Sequence, residues 1–463
     1  MKKLIKSMSY AFIAQIVALL VSVFASFFVS RFMSIKGFGY YQLFLFYSTF
    51  AGLFQFGVSE GVYLESGGKR YEDIDRGETK QLFLNALILE TIVLIAGVPA
   101  AATVVKDDNK KVILVLLALY AVTYLFVMYF GMLLQAVNKT EQYSKAIIVG
   151  KVVTLALYVA LVLMKNYDYL WYCITYLFGY MISGATVVIM CKDIIKEKIV
   201  LRPVISARKS TFSAGFSLLL SGLVSTFILS INRIYIEHFM GIETFGKVSM
   251  ALNLVSFFLM FAIQIGMVMF PSVVLLNDKD KKRLYKKLDL FSAMLTPLVL
   301  LGYIPLKLIL SVWIPQYSES IRWMLLFIPY LNYEIKTQVM YNTYLKALRK
   351  EKYLFAVNLG AFIFCAVVNY ILMIRNGSLE MIFWVIDATM IIKSFVLSRG
   401  IEKIYDINLM VEMVAEAVLC CLCTFFVYNY TKIGTITVAI VTFTVLYLAV
   451  SKLNARYNSD TVK

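Results

Sequence analysis

Fourteen long apolar segments dominate the sequence, and each is long enough to cross a bilayer as a helix, which takes about 20 mostly apolar residues. Of the 463 residues, 61% are hydrophobic and 16% are charged, whereas a soluble domain has about 45–50% and about 25%. The sequence therefore predicts an all-α polytopic membrane protein, with spans at residues 8–33, 38–63, 81–104, 112–136, 143–164, 169–191, 212–237, 244–276, 288–313, 321–346, 353–374, 379–399, 408–430 and 434–452. The long segment 244–276 contains Pro271, near which we expect either a tilt or a break.

The connections between these segments are short, and none is long enough to hold a soluble domain. An attached ATPase, a receptor ectodomain and a nucleic-acid-binding module are therefore excluded. The longest loops, at 64–80, 192–211 and 277–287, all fall on the side that the charge pattern predicts to be inner. A membrane glycosyltransferase acting at the outer face usually needs a large outer loop, so we do not expect an enzyme.

The net charge of +17 comes from 45 Lys and Arg against 28 Asp and Glu. Such an excess suggests nucleic acid for a soluble protein, but the cytoplasmic loops of membrane proteins are also rich in Lys and Arg. With both termini in the cytoplasm, 30 of these cations fall on the inner side and 9 on the outer side. We therefore expect a multi-pass protein of the bacterial cytoplasmic membrane, with cytoplasmic termini, membrane lipids as partners and no nucleic acid.

The six cysteines lie in apolar stretches, and His238 is the only histidine. The cluster Cys420, Cys421 and Cys423 has no histidine nearby, so neither a disulfide framework nor a metal site is predicted. We expect no cofactor, apart from a coupling ion that is either H+ or Na+. The apolar stretch after Met1 is too long for a signal peptide, so we expect a retained first span.

Two ten-residue segments of the chain resemble each other. Residues 32–41 read Phe-Met-Ser-Ile-Lys-Gly-Phe-Gly-Tyr-Tyr and residues 239–248 read Phe-Met-Gly-Ile-Glu-Thr-Phe-Gly-Lys-Val, so that five positions match at an offset of 207. Each copy follows an odd-numbered span, which predicts a parallel duplication. The predicted organisation is one six-helix bundle at 1–204, a second at 205–405, and two additional helices with a short cytoplasmic tail at 406–463. Transporters built in this way bind the substrate between their halves.

The residues at these junctions resemble those of a known family. The segment Ser30 to Leu43 looks like the junction between the first two helices of bacterial polysaccharide exporters. Further similar segments are Asn232-Arg233, Met240-Gly241, Phe245-Gly246, Ser249-Met250-Ala251, Phe270-Pro271-Ser272 and Asn342 to Lys350. The ordered set resembles the Wzx-like flippases of the multidrug/oligosaccharidyl-lipid/polysaccharide (MOP) exporter superfamily. The acidic Glu380 departs from a segment that is often glycine-rich in that family.

This resemblance implies a MATE-like fold with a two-bundle architecture. It also implies a flippase that moves an undecaprenyl-diphosphate-linked oligosaccharide, the repeat unit of a polysaccharide, from the inner to the outer leaflet. A polysaccharide polymerase and glycosyltransferases are the partners that the resemblance implies. The mechanism expected for such a protein is alternating access.

Cations inside a membrane are costly and therefore indicate candidate substrate pathways. Arginine suits a diphosphate because its planar guanidinium can bond two oxygens at once. Snorkelling to headgroups is the alternative for the cations near the outer ends of spans, and inter-helix salt bridges are the alternative for the deeper lysines. Arg233 is also expected to pair with Glu237, four residues further along one helix face. The candidate substrate-binding residues are Arg31, Arg233, Lys151, Lys336, Lys247 and His238.

Three acidic residues within predicted spans are candidates for ion coupling or gating. Glu90 and Asp387 lie well inside spans three and twelve, where they either exchange a coupling ion or form neutral hydrogen-bonded structural contacts. Glu60 lies between Gly57 and Gly61, which permit a close helix approach, and is placed to close an inner gate. Glu412 and Glu416, on the thirteenth span, are predicted to be peripheral to the pathway.

Two other transport functions remain open on the same fold. A MATE-type drug or cation exporter should have an acid-lined cavity, whereas the charges within these spans are mixed. A peptidoglycan-precursor flippase should carry several arginines in its first two spans, whereas Arg31 is the only one here. A glycan-joining membrane enzyme is the third alternative, and the short outer loops disfavour it.

Overall fold

The computed structural model describes residues 2–198, 209–430 and 433–460, and within these ranges the chain is helical without β-strands. The all-α prediction is confirmed. The chain divides into two compact units, Met1–Leu223 and Val224–Lys463. The predicted boundary at 204/205 lies outside the described residues, and the division into 1–204, 205–405 and 406–463 stays a prediction.

The α-helices of the first unit begin near the amino terminus and continue to the helix that contains the boundary between the units. They are α1 (Lys2–Phe24), α2 (Ser30–Phe32), α3 (Ile35–Ser48), α4 (Val58–Ser66), α5 (Arg76–Val104), α6 (Asp108–Ala136), α7 (Thr140–Leu163), α8 (Tyr169–Met190), α9 (Lys192–Lys196) and α10 (Lys209–Met240).

The α-helices of the second unit follow α10 without a long connection. They are α11 (Ile242–Leu275), α12 (Asp278–Trp313), α13 (Ser318–Trp323), α14 (Ile328–Lys336), α15 (Asn342–Ala347), α16 (Glu351–Ile374), α17 (Leu379–Tyr405), α18 (Met410–Asn429) and α19 (Ile433–Asp460).

Nine helices among the described residues are long and apolar enough to cross a membrane, or ten if the two halves of α10 count as one span. A chain with this many such helices is a multi-pass membrane protein. Each predicted span has a helical counterpart, but the number of fourteen membrane crossings stays a prediction.

The second predicted span, 38–63, is broken rather than continuous. Helix α3 ends at Ser48, a 3-10 turn covers Ala51–Gln55, and α4 begins at Val58. Between the turn and α4, Phe56 and Gly57 both have left-handed backbone conformations, with φ of 50° and 76°. Two successive left-handed residues cannot continue an α-helix, so α3 and α4 form separate segments.

The tenth predicted span, 321–346, is also interrupted. A 3-10 turn at Met324–Phe327 separates α13 from α14, and a π-helical turn at Thr337–Tyr341 separates α14 from α15. By contrast, α11 runs unbroken from Ile242 to Leu275 through Pro271, so the break that the sequence allowed there is absent.

The repeat predicted from sequence appears in the positions of the helix ends. Helix α3 starts at Ile35 and α11 starts at Ile242, which are separated by the offset of 207. The side chain of Ser34 caps α3 by accepting a hydrogen bond from the Gly37 N–H at 3.0 Å, whereas Gly241 precedes α11 with φ of 86°. Phe38 and its counterpart Phe245 are both fully buried. The two copies therefore begin a helix at the same repeat position, although their N-cap conformations differ.

Small residues permit the tightest helix crossing in the first unit. A Cβ atom on Gly150 of α7 would lie 2.3 Å from the Gly179 carbonyl oxygen of α8, and one on Gly179 would lie 1.9 Å from the Thr154 hydroxyl. Helices α1 and α6 also pack against this pair. Close backbone contact therefore joins α7, which carries Lys151, to α8, which carries Tyr176 and Tyr180.

The two C-terminal helices pack within the second unit. Helices α18 and α19 contact each other, α19 contacts α12, and α18 contacts α14. The residues of α18 that face inward include Glu416, which is 2% exposed. The last two helices therefore contribute to the buried interior of this unit.

Candidate functional site

Lys151 lies inside the first unit among aromatic rings. Its ammonium nitrogen is 4.5 Å from the ring centroid of Tyr176 and 4.7 Å from that of Tyr180, and it is 3.4 Å from the Tyr176 hydroxyl. Among the described residues no carboxylate pairs with this ammonium group. Cation–π contacts partly replace lost hydration, but the positive charge remains available to an anion. The inter-helix salt bridge considered from the sequence is therefore not what holds Lys151.

The rings around Lys151 belong to a larger tyrosine cluster formed by α3, α6, α7 and α8. Tyr176 and Tyr180 contact the ring of Tyr120, with centroids 5.9 and 4.8 Å away, and the hydroxyls of Tyr41 and Tyr158 are 2.9 Å apart. The members of the cluster are Tyr41, Phe44, Tyr120, Tyr124, Tyr158, Tyr172, Tyr176 and Tyr180. The first unit thus has an aromatic and hydroxyl-rich interior with one cation at its side.

The sequence analysis did not single out these tyrosines, although a signal for them exists. Tyr172, Tyr176 and Tyr180 are spaced four residues apart, as are Tyr120 and Tyr124. Residues with this spacing share one face of a helix. Two tyrosine-lined helix faces of this kind predict an aromatic contact between their helices.

Glu60 lines a cavity of about 360 Å³ within the first unit, together with Tyr63, Gln135 and Gly222. One carboxylate oxygen of Glu60 is buried without a hydrogen-bond partner among the described residues. The predicted close approach at Gly57 and Gly61 is confirmed within this unit. A Cβ atom on Gly215 of α10 would lie 2.1 Å from the Gly57 carbonyl oxygen and 2.6 Å from the Gly61 nitrogen. The role of Glu60 in a gate stays a prediction.

Glu90 is fully buried on α5. Neither of its carboxylate oxygens has a hydrogen-bond partner among the described residues. Burying an unpaired charge in an apolar setting is costly, so this environment favours a carboxyl group that carries a proton. The hydrogen-bonded structural role considered from the sequence does not fit this geometry.

Arg31 is half-buried at the end of α2, and its guanidinium carbon lies 5.8 Å from the ring centroid of Phe32. The Phe32 ring stacks in turn on Tyr167 at 5.3 Å. His238 is exposed near the end of α10, with its ring 4.9 Å from that of Phe239. The substrate-binding roles of Arg31 and His238 stay predictions.

Arg233 and Lys247 lie near the junction of α10 and α11. Arg233 donates to the Ser249 hydroxyl at 2.8 Å, and its guanidinium carbon is 5.0 Å from the Phe245 ring centroid. Lys247 forms a 2.7 Å ion pair with Glu319 of α13, which the sequence did not predict. The Arg233–Glu237 salt bridge and the substrate contacts of both cations stay predictions.

Lys336 is fully buried in the second unit and lies between two carboxylates. Its ammonium nitrogen is 2.8 Å from Asp289 of α12 and 2.6 Å from Glu416 of α18. The inter-helix salt bridge considered as the alternative for Lys336 is therefore present. Glu416 is itself buried and neutralises a buried cation, and its position peripheral to the pathway stays a prediction.

Asp387 is buried on α17, and one carboxylate oxygen accepts a hydrogen bond from the backbone N–H of Tyr330 at 2.9 Å. That N–H belongs to the first turn of α14, where an α-helix has no internal acceptor for it. The other oxygen of Asp387 has no partner among the described residues. Asp387 thus stabilises the start of a broken helix, and its role in ion coupling stays a prediction.

The candidate residues therefore fall into separate local environments. The first unit places Lys151 in the tyrosine cluster, Glu60 at the cavity and Glu90 on α5. In the second unit, the ion pairs of Lys336 join three helices. No group of three or more His, Cys, Asp or Glu side chains in the described ranges is arranged to hold a metal ion.

Solved structures define the class of protein to which this architecture belongs. The chain is similar to the structure of "Lipid II flippase MurJ, inward closed conformation", with a TM-score of 0.70 at 13% sequence identity over 99% of this chain and 100% of that one. It is also similar to an inward-facing multidrug resistance MATE family transporter of the MOP superfamily, with a TM-score of 0.61 at 13% identity over 84% and 98% of the two chains. The chain therefore has the fold of these two membrane transport proteins.

The sequence identifies the family within this class. Residues 4–274 match the family described as "Polysaccharide biosynthesis protein", and the chain belongs to that family. A comparison with curated proteins finds no match. The family match confirms the predicted connection with polysaccharide biosynthesis, and the structural likeness confirms the predicted all-helical MATE-like fold.

Proposed function

We propose that this protein flips an undecaprenyl-diphosphate-linked oligosaccharide, the repeat unit of a surface polysaccharide, from the cytoplasmic to the outer leaflet. The observation that carries this proposal is the position of Lys151, a cation without a carboxylate partner among the described residues, beside the rings of Tyr176 and Tyr180. A diphosphate would supply the missing negative charge. The proposed role of Lys151 is to bind that diphosphate through charge-assisted hydrogen bonds.

The tyrosine cluster supports an oligosaccharide as the rest of the head group. Sugar rings present C–H groups that pack on aromatic faces, and their hydroxyls bond to phenols. Tyr124, Tyr176 and Tyr180 are half-buried, so each of these rings keeps some accessible surface. We assign these three rings to the sugars and Lys151 to the diphosphate.

Two alternatives share the fold and are less well supported by these residues. A cation exporter needs acidic groups that hold its substrate, whereas the charge at the tyrosine cluster is positive. A peptidoglycan-precursor flippase would be expected to have several arginines early in the chain, and only Arg31 is present in the first two predicted spans. The polysaccharide family to which the chain belongs favours a polysaccharide repeat unit.

The proposed mechanism is alternating access, driven by an H+ or Na+ gradient. Glu90 is the first candidate for proton exchange, because it is buried with both oxygens unpartnered in the described part of the chain. Asp387 is the second candidate, and Glu60 is the candidate for closing the inner side. Arg31, Arg233, Lys247 and His238 are proposed to contact the substrate nearer the outer side. A cytoplasmic-membrane location, cytoplasmic termini and a polymerase partner belong to the same proposal.

The direct test is mass spectrometry of the lipid extract from cells depleted of the protein. We expect an undecaprenyl-diphosphate oligosaccharide to accumulate while surface polymer falls, and its mass would identify the sugars. If no lipid-linked glycan accumulates, the proposed substrate is wrong. Accumulation of the peptidoglycan precursor alone would instead identify that second function.

The role of Lys151 is tested by complementing depleted cells with Lys151→Gln. We expect about tenfold lower export, since the variant loses a charge-assisted contact. Lys145→Gln is the matched control, because Lys145 lies on the same helix, is exposed and already pairs with Glu141. Equal export by Lys151→Gln and Lys145→Gln at equal expression would contradict the assignment.

A further inference from the structure

A second pocket lies wholly within the second unit, at the end of the helices that the charge count predicts to be outer. It has a volume of about 150 Å³ and is lined by residues of α12, α13 and α19 and by the end of α18. Two cations, Lys307 and Arg322, line it together with the hydroxyl-bearing Tyr303, Ser311 and Ser318. The lining includes no Asp or Glu among the described residues.

Arg322 is held in a fixed orientation at this pocket. Its Nε and Nη2 atoms donate to the carbonyl oxygen of Tyr428 at 3.3 and 3.1 Å, and its guanidinium carbon lies 4.4 Å from the centroid of the Tyr428 ring. These contacts use only part of the five N–H donors of an arginine. The remaining donors suit a phosphate, whose oxygens match the planar guanidinium.

Glu380 supports this arrangement through Tyr428. The Tyr428 hydroxyl donates to the Glu380 carboxylate at 3.1 Å, so the ring beneath the guanidinium is fixed at both ends. Glu380 is the residue at which the sequence departs from the pattern of the flippases that it resembles. Glu380, the residue that differs from that pattern, therefore contacts the tyrosine that positions Arg322.

The surroundings of the pocket indicate that its ligand is a lipid. Leu308 and Val312, which directly follow Lys307 and Ser311 on α12, are 48% and 80% exposed. In a membrane-spanning chain, such exposed apolar side chains face acyl chains. The pocket wall also contains the apolar side chains of Leu325 and Ile436. A cationic pocket beside an apolar surface matches a molecule with a phosphate head and hydrocarbon tails.

We propose that this pocket binds the phosphate of a membrane-lipid headgroup, with Arg322 and Lys307 as its cationic contacts. The proposal does not depend on which lipid the protein transports. An anionic phospholipid such as phosphatidylglycerol carries the required phosphate, and so does the diphosphate lipid of the proposed function. Both lipids present a phosphate to the pocket, and the experiment below distinguishes between them.

The experiment is native mass spectrometry of the purified full-length protein with added phosphatidylglycerol or phosphatidylcholine. We expect preferential retention of phosphatidylglycerol, and about tenfold weaker retention in Arg322→Gln and in Lys307→Gln, since each variant removes a charge-assisted contact. Tyr428→Phe removes only the hydroxyl that contacts Glu380 and should reduce retention less. Arg375→Gln is the charge-matched control, because Arg375 is exposed on the predicted outer side but does not line the pocket.

Unchanged retention in both cation variants would overturn the proposal, as would equal loss in Arg375→Gln. The unfolding temperature of each variant shows whether it is folded, and Arg322→Lys, which keeps the charge, provides a second variant if Arg322→Gln fails to fold. Competition by undecaprenyl diphosphate then separates the sources. If undecaprenyl diphosphate displaces phosphatidylglycerol from the wild type but not from Arg322→Gln, the pocket binds the transported lipid. If it displaces none, the pocket binds an ordinary phospholipid.

Discussion

The phenol of Tyr40 donates a hydrogen bond of 2.5 Å to the carboxylate of Asp107, which ties the start of α3 to the residue that caps α6. The second copy of the repeat has a corresponding contact within its own unit. Lys247 stands at the position equivalent to Tyr40 and pairs with Glu319 of α13 at 2.7 Å. Each junction thus uses a polar contact at the same helical position, although the chemical groups differ.

Replacing Asp107 with Asn should lower the unfolding temperature in a pH-dependent manner. Burial raises the pKa of Asp107, but hydrogen bonds from Tyr40 and from the N–H groups of Asn109 and Lys110 outweigh it, so the pKa is lowered overall. A carboxylate whose pKa is lower in the folded than in the unfolded protein stabilises the fold at pH values above the unfolded-state pKa, which is near 3.9 for Asp. This stabilisation is lost as the pH falls through the folded-state pKa. The difference in unfolding temperature from the wild type should be constant between pH 5 and pH 8 and shrink below about pH 4.

Asp108→Asn provides the control for this prediction. Asp108 is adjacent and 90% exposed, and its ion pair with Lys111 is of the surface type that contributes about 0–1 kcal/mol. Tyr40→Phe should reproduce the effect of Asp107→Asn at neutral pH, with a loss of about 1.5–3 kcal/mol for a hydrogen bond to a charged group. A pH-independent difference for Asp107→Asn would show that the contact acts through packing alone.

Replacing Lys336 with Met should destabilise the second unit strongly. The change leaves the carboxylates of Asp289 and Glu416 without their common cation, and breaking a buried pair in this way costs about 3–5 kcal/mol. Thermal unfolding of the purified variant provides the measurement. Lys247→Met is the matched control with an expected loss of about 0–1 kcal/mol, because its partner Glu319 is 57% exposed.

Adding Glu416→Gln to Lys336→Met should recover part of the lost stability, since it removes one of the two uncompensated charges. If Lys336→Met unfolds at the wild-type temperature and only transport falls, then Lys336 acts on the substrate rather than on the fold. That result would restore the role predicted from the sequence.

Replacing Gly215 with Ala should disrupt the packing of α10 on α4 within the first unit. The new Cβ atom would lie 2.1 Å from the Gly57 carbonyl oxygen, and both contacting groups are backbone atoms that cannot turn aside. Overpacking of this kind costs about 1–3 kcal/mol, and the yield of monodisperse protein and its unfolding temperature should both fall. Gly222→Ala, seven residues further along α10, has no atom within 4 Å of the added Cβ and should behave as the wild type. Equal behaviour of the two variants would mean that the close approach does not stabilise the protein.

Replacing Glu90 with Gln should leave the fold intact and impair ion-coupled transport. The two side chains have nearly the same shape, and a neutral amide is cheaper to bury than an unpaired charge. We expect the unfolding temperature to stay within a few degrees of the wild type, while transport in reconstituted vesicles loses its response to an imposed pH gradient. Glu78→Gln, in the first turn of the same helix, should retain that response. Retention of the full response by Glu90→Gln would remove this residue from the coupling mechanism.

Apolar length was sufficient to predict the helical class, and the ten-residue repeat predicted that each copy enters a helix. The starts of α3 and α11 follow the repeat offset, and Phe38 and Phe245, which occupy the same repeat position, are both buried. The break at Phe56–Gly57 was missed, since hydrophobicity does not report backbone handedness. A left-handed glycine leaves the apolar pattern unchanged.

The site was less predictable because its contacts join residues that are far apart in the chain. Lys336 is 47 residues from Asp289 and 80 residues from Glu416. These three side chains lie on three different helices, so sequence spacing cannot join them. For Lys151, the sequence offered an inter-helix salt bridge as the alternative to substrate binding, whereas the contacts observed are with the faces of Tyr176 and Tyr180.

The π-helical turn Thr337–Tyr341 sets the rotational phase of the helical segment that follows it. A π turn accommodates one residue more than an α-helical turn, so later side chains are rotated by about 100° around the axis. Lys336 precedes the turn and reaches Glu416, whereas Tyr344 follows it and donates to the Lys281 carbonyl at 2.8 Å. Deleting a single residue from the turn would rotate Tyr344 relative to Lys336 around the helix axis. The chain could then keep either the Lys336–Glu416 ion pair or the Tyr344–Lys281 hydrogen bond, but not both.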